Sequence, residues 1–342
     1  MFLLELTIIG IMQGDCLSAV LFIFYLAQAL EERNDTEAEH SYSKRADETP
    51  ARNTIETEHS YAEIDDTAFS IEPKYADDIT YVSTSKRRNE TIEEIVPKKL
   101  KKHDLGVNAG KTERYTCPDP PNTTKSNSWK SCKLLGSMID TESDITRRKS
   151  LALAVMKDKS RYYKSKNLSI KQKIRHFNTY VMSVLLYNCE LWTLTKTLND
   201  KLDAFHRRLL RYAIGAHYPK IIKNEDIYII TEAIPLSNTI KRRRLSWFGH
   251  LMRLPKETPA RQAFAEAIGP KKRKRGRPKT IWLDVIQRDL KDIGIEIEVK
   301  DPSNIPKLES LCIDRTAFRH LVNSNTCLQY AGKSRGAKNS SN

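Results

Sequence analysis

The 342-residue sequence predicts an α+β chain, with a small strand-and-helix segment followed by a long helical remainder. Three observations predict it. Residues 68–84 alternate and are rich in Ile, Val, Thr and Tyr, the period-2 pattern of paired strands. From Ser143 onward apolar residues recur at helical spacing almost throughout. Between them and the N-terminus, residues 31–74 carry thirteen acids against five bases and few aliphatics. Such a stretch lacks the apolar surface to order itself, so an insertion that is mostly disordered over about 33–66 is expected there.

Taken in order, MFLLELTIIGIM is apolar but carries Glu5 and has neither a basic start nor a small-residue cleavage site. It reads as buried core rather than a signal peptide. Residues 17–32 read as a helix apolar nearly all round, and the run 17–30 is too short to span a bilayer. The phrase Glu-His-Ser-Tyr occurs at 39–42 and again at 58–61, a duplicated polar loop rather than a metal site. Residues 68–84 suit a hairpin with Ala76-Asp77-Asp78 at its tip, and 87–103 a helix that Pro97 should kink or shorten. Pro118, Pro120 and Pro121 mark a linker at 116–129, and 130–139 return to strand character. Ser143 or Asp144 is suited to cap a helix running to about Ser165. Ser169 caps the next, with Ile174, Phe177, Tyr180, Val181, Val184 and Leu185 at helical spacing. A third helix over 196–214 sets Leu198, Leu202, Phe205, Leu209 and Ile214 apart from Arg207, Arg208 and Arg211. A further helix at about 280–293 has Trp282, Val285, Ile286 and Leu290 as its apolar face, and the chain from about Asn323 should fray.

A formal net charge of +15 favours a polyanionic partner, with nucleic acid the first candidate; no basic amphipathic helix points to a membrane. The six cysteines (16, 117, 132, 189, 312, 327) form no C-x-x-C pair and read as thiols of a reducing compartment. Cys312, His320 and Cys327 lack a fourth ligand at zinc spacing. Basic residues cluster at Lys241-Arg242-Arg243-Arg244 and at 270–279, PKKRKRGRPK. The second strip contains Lys271, Lys272, Arg273, Lys274, Arg275, Arg277 and Lys279 and no acid. Gly and Pro keep it extended, which suits contact with phosphates; a solvated charge run and a nuclear-import signal are the competing readings. Arg275-Gly276-Arg277-Pro278 also resembles an AT-hook, which would lie in the narrow minor groove of A·T-rich DNA. Trp192, Trp247 and Trp282 sit among apolar neighbours at helical spacing, so core packing is favoured over base stacking.

The most informative motif is Tyr75-Ala76-Asp77-Asp78, flanked by apolar and β-branched residues. Two adjacent carboxylates at a tight turn suit a divalent cation with oxygen ligands. By itself such a pair is more often a solvated turn. Here it lies after GIMQGDCLSAVLF (10–22) and before LGVNAGKT (105–112) and KLLGS (133–137). In order and spacing these four motifs resemble the palm motifs of reverse transcriptases, in particular those of non-LTR retrotransposons. LLYNCELWTLTKTLNDKLDAFHRRLLRYAIG, RRLSWFGHLMR and RGRPKTIWLDVIQRDL are similar to the post-polymerase region of the same elements, so the resemblance covers nearly all but the acidic insertion.

The resemblance implies an RNA-directed DNA polymerase, in which two Mg²⁺ (or Mn²⁺) ions assist templated nucleotidyl transfer. It implies Asp77 and Asp78 as metal ligands and catalytic residues and Lys111 as the group that neutralises or protonates the leaving pyrophosphate. Gln13 and Gly14 would approach template and nucleotide, Tyr75 would shape the turn at the primer terminus, and Gly136 would allow close approach in a primer-grip strand. Ala19 stands where the family usually has Pro, a mild departure since Pro at a helix start helps without being required. In the family a further catalytic Asp precedes the Gln-Gly motif; only nine residues precede Gly10, and Glu5 is their sole acid. That strand and the fingers are therefore expected to be missing, and the chain alone is expected to be inactive.

The expected organisation is a partial palm at 1–115, a linker at 116–129, and primer-grip strand with helical thumb at 130–230. A basic helical region at 231–322 and a disordered tail at 323–342 complete it. Expected partners are an RNA template and RNA–DNA hybrid, with A·T-rich duplex DNA as a further one and no membrane; the expected location is intracellular, nuclear and cytoplasmic. The alternative is a non-enzymatic nucleic-acid-binding protein derived from a retroelement.

Overall fold

In a computed structural model of the chain, the alternating run near 68–84 forms strands. The structure describes residues 2–8, 70–71, 74–75, 78–83, 86–102, 105–115, 130, 132–219, 221–268 and 280–335. The expected helix at 17–32, the acidic insertion over 33–66, the linker, and the strip 271–279 lie outside the described residues. The chain divides into two units, Met1–Leu135 and Gly136–Asn342.

In the first unit, β1 (Phe2–Ile8) is followed by β2 (Ser70–Ile71), β3 (Lys74–Tyr75) and β4 (Asp78–Ser83). Helix α1 (Lys86–Lys102) then leads to β5 (Leu105–Val107) and β6 (Glu113–Arg114). β2 and β3 both pair with β4, whose other edge pairs with β1; β5 and β6 pair with β1 in turn. Every pairing is antiparallel. It follows that β4 and β5 are parallel, joined by α1, with β1 inserted between them: a split βαβ unit. The apolar N-terminus is thus a sheet strand between two others rather than unpaired core. Ile92, Ile95, Val96 and Leu100 recur along one face of α1 and are buried, as are Thr80, Tyr81 and Leu105. Pro97 does not end the helix. It lies on the exposed side, where its cost of about 3 kcal/mol is outweighed by four buried aliphatics, each contributing roughly 1.5–3 kcal/mol.

The boundary between units falls in the turn of a short hairpin, β7 (Lys133–Leu134) and β8 (Ser137–Met138). Beyond it the second unit is helical. α2 (Thr141–Asp158) is capped by Asp140, whose carboxylate accepts from the Ser143 amide at 2.9 Å. The sequence pointed to Ser143 or Asp144 instead. Asp144 is unavailable because it is buried and bonded inward. α3 (Ser160–Lys164) precedes α4 (Ile170–His176), which opens with the expected Ser169 cap, completed as a capping box by Gln172. A π-helical turn (Phe177–Val181) joins α4 to α5 (Met182–Leu185). After a 3₁₀ turn (Cys189–Leu191) comes α6 (Lys196–Ile214), capped by Thr195 and stopped by Gly215 at φ +71°.

Next follow α7 (Asn224–Thr231), α8 (Leu236–Arg253), α9 (Pro259–Ile268) and α10 (Trp282–Asp292). The last helices are α11 (Ile305–Ile313) and α12 (Arg315–Arg335). One core gathers around Phe177, Leu185, Trp192, Leu202 and Leu210, and a second around Leu245, Phe248, Ile286, Leu290 and Phe318. α8 supplies Ile240 to the first and Leu245 and Phe248 to the second. The helical region expected to end near 230 and the basic region expected after it therefore share this helix within one unit. α12 also runs past Asn323, where fraying was expected; Val322 and Thr326 are both buried. Among the described residues, no helix is long and apolar enough to cross a membrane.

Candidate nucleic-acid interface

The hairpin that carries the carboxylate motif is built by strand register. Tyr75 pairs with Asp78 and Lys74 with Ile79, so positions 76 and 77 connect β3 to β4. Asp78 is the first residue of β4 rather than the tip. Asp77, Gln13, Gly14 and the strip from Lys271 to Lys279 lie outside the described residues. Across the sheet, Asp78 stands opposite Glu5 of β1.

Lys111 lies on the other side of β1. Val107 pairs with Leu6 and Glu113 with Leu3, which sets the turn 108–112 at the level of Leu4 and Glu5. Two inter-strand spacings, roughly 10 Å, thus separate this turn from the backbone of Asp78. Asn108 organises the turn: its carbonyl accepts from the amides of Lys111 (3.1 Å) and Thr112 (3.0 Å). Its side-chain oxygen accepts from the Gly110 amide at 3.1 Å. Lys111 is exposed at the end of this turn. Register therefore brings Glu5, Asp78 and the Lys111 turn to one level of one sheet.

Gly136 stands in a turn, where a strand position was expected. It is not in a strand: Leu135 and Gly136, both at positive φ (+45° and +80°), form the two-residue turn of the β7–β8 hairpin. A Cβ on Gly136 would meet the Tyr187 ring only at 3.7 Å, an ordinary contact. Within the fold, the positive φ of Gly136 is what favours glycine here. Its carbonyl accepts from Arg147 (2.6 Å) and Arg148 (2.5 Å). Arg148 also stacks 4.3 Å over the Tyr187 ring.

Arg148 and Asp144 begin a buried polar chain that the sequence reading did not single out. Asp144 accepts from the Met138 amide (3.0 Å) and from Trp192 Nε1 (2.8 Å). The segment 186–194 has little regular structure, so its carbonyls need partners from elsewhere. Four side chains supply them. Arg243 donates to the Leu186 carbonyl (3.1 Å) and Trp282 to that of Glu190 (2.9 Å). Arg244 donates to the Trp192 carbonyl (2.8 Å) and Arg288 to that of Leu194 (3.0 Å). Arg244 also pairs with Asp289 at 2.7 Å; both are buried, and that burial pushes the Asp289 carboxyl up.

The basic run of α8 is thereby split: Arg244 is internal and Lys241 pairs with Asp292 at 2.5 Å. One sequence signal marks Arg244. It occupies the position between Ile240 and Phe248 at i+4 steps, on the buried stripe of the helix. Trp192 and Trp282 are likewise tied into this network, not presented as free stacking platforms. Cys312 is fully buried and its thiol is pushed up to about 12 by that burial. Among the described residues, no group of three His, Cys, Asp or Glu side chains could hold a metal ion.

The chain is similar to a transposon-derived protein. That relative, an uncharacterised protein of Caenorhabditis elegans, is 24% identical over 272 residues, which cover 74% of this chain and 95% of the relative. The likeness supports an origin in a transposable element. No family model matches the chain, and no solved structure matches it.

Proposed function

We propose that the chain derives from the reverse transcriptase of a non-LTR retrotransposon: a palm-like sheet followed by thumb and post-polymerase helices. The observation that carries this reading is the split βαβ unit with the Tyr75–Asp78 hairpin on β4, where Asp78 faces Glu5 and the Lys111 turn stands at the same level. Glu5 and Asp78 occupy paired positions of adjacent strands, and carboxylates are the oxygen ligands that hard divalent cations take. Asp77 and Asp78 would hold Mg²⁺, which when bound would stabilise charge on phosphate oxygens during nucleotidyl transfer. Lys111 would face the departing pyrophosphate as a fixed cation. The second unit, rich in Lys and Arg, would bind RNA template and RNA–DNA hybrid.

The test joins the chain to the fingers and first-Asp segment of a family enzyme and measures primer extension on an RNA template. Mg²⁺-dependent extension is expected, and Asp77→Ala should abolish it. Extension that survives Asp77→Ala removes the carboxylate assignment. Binding to hybrid with no Asp77-dependent extension selects a non-enzymatic nucleic-acid-binding function. Absence of both overturns the proposal.

A further inference from the structure

A cleft of about 360 Å³ opens between α8 and α12 in the second unit, and five arginines line it. Arg242, Arg243 and Arg253 come from α8, and Arg315 and Arg319 from α12. Ser246 and Asn323 add neutral polar groups at its wall. Phe318 and Val322 also line it and are buried. Arg243 Nη1 lies 3.7 Å from a Glu190 oxygen, and Arg253 donates to the Cys312 carbonyl at 2.8 Å. Those contacts orient the two guanidiniums yet leave each with further N–H donors. Among the described residues, no carboxylate forms an ion pair with Arg242, Arg253, Arg315 or Arg319.

Four guanidiniums with no ion-paired carboxylate among the described residues, beside a fifth that lies 3.7 Å from Glu190, leave the cleft with a positive surplus that attracts an anion. Guanidiniums bind phosphate oxygens in bidentate fashion. Arg242 and Arg253 are eleven positions apart on α8, about 16 Å at the helical rise. That span exceeds a single phosphate and matches several nucleotides of a strand, whose rise is about 3.4 Å each. Phe318, 4% exposed, offers no face for a base to stack upon. We propose that this cleft binds the phosphate backbone of a nucleic acid strand, independently of base sequence. The proposal rests on the nucleic-acid-binding part of the reading above and not on polymerase activity.

The experiment compares the full chain with Arg242→Gln/Arg319→Gln and with Lys256→Gln/Lys291→Gln, a control pair of exposed lysines outside the cleft. Circular dichroism verifies that each is folded. Fluorescence anisotropy follows binding of a single-stranded RNA and of a DNA duplex between about 50 and 200 mM salt. Losing two phosphate contacts should lower the slope of log K against log salt by about 1.4 on single strands or about 1.8 on duplex. The strand type whose slope change reaches its own expected value, about 1.4 for the single strand or about 1.8 for the duplex, identifies the source of the phosphates. The control pair should change the slope by less than half as much. Equal losses in both pairs, or no loss in the arginine pair while the wild-type chain binds, would overturn the cleft and leave nucleic-acid binding standing. A wild-type chain that binds neither oligonucleotide overturns both. Inorganic pyrophosphate is the third probe: if it protects the wild-type chain thermally and displaces no oligonucleotide, the cleft is a small-anion site instead.

Discussion

Gly249→Ala sets two effects of known size against each other. An alanine inside an exposed helix is favoured over glycine by about 1 kcal/mol. At Gly249 of α8, however, an added Cβ would lie 2.6 Å from Phe318 Cε1 and 2.7 Å from Cδ1 on α12. Carbon atoms in contact prefer about 3.5–4.0 Å, so the ring would have to retreat by about 1 Å. Phe318 is 4% exposed and packed in the second core, with little room to turn. Overpacking of this kind costs about 1–3 kcal/mol, occasionally more. The clash should win, giving a net loss of up to about 2 kcal/mol. Urea denaturation followed by circular dichroism measures it, together with Phe318→Leu and the double variant. A smaller side chain at 318 should relieve the alanine, so the double variant should be more stable than the two single losses sum to. Stabilisation by Gly249→Ala, or strict additivity in the cycle, would refute the packing argument.

Two further outcomes follow from buried charge. Arg244→Met should destabilise the chain by about 3–5 kcal/mol, because it leaves Asp289 and the Trp192 carbonyl without their partner. Arg244→Met/Asp289→Leu should recover much of that loss, and a double variant no better than the single one would count against the pair. His206 is 2% exposed, and burial, with Arg207 nearby, lowers its pKa from 6.5 to about 4. Because the unfolded chain then binds the proton more readily, stability is fully present above about pH 6.5 and falls between there and about pH 4 by about 3 kcal/mol. His206→Phe should flatten that window in urea titrations at stepped pH, and an unchanged slope would assign the pH dependence to other groups.

The helices of the second unit were legible because their signals are local. The Ser169 cap and its Gln172 partner are three residues apart, and the 196–214 helix begins after Thr195 and stops at Gly215 with the bounds its apolar spacing predicts. The strand character around 79–83 was visible in alternation for the same reason. What the sequence left open depends on partners distant in the chain. β1 acquires its identity from β4, more than seventy positions on, and that pairing is what sets Asp78 opposite Glu5. The carboxylate motif could be located from its residues, but the neighbours at its level on the sheet came only from register.

The same division separates the arginines. As letters, Arg242, Arg243 and Arg244 are one basic run. Helical rotation of about 100° per residue sends them to different surroundings. Arg244 turns inward to Asp289, forty-five positions away, whereas Arg242 and Arg243 line a cleft completed by α12. The sequence by itself determined the strand character around 79–83, most helix limits and the positive charge. Tertiary structure alone decided which charges are internal and which remain for a ligand, because burial and ion pairing are set by residues that local spacing does not reach.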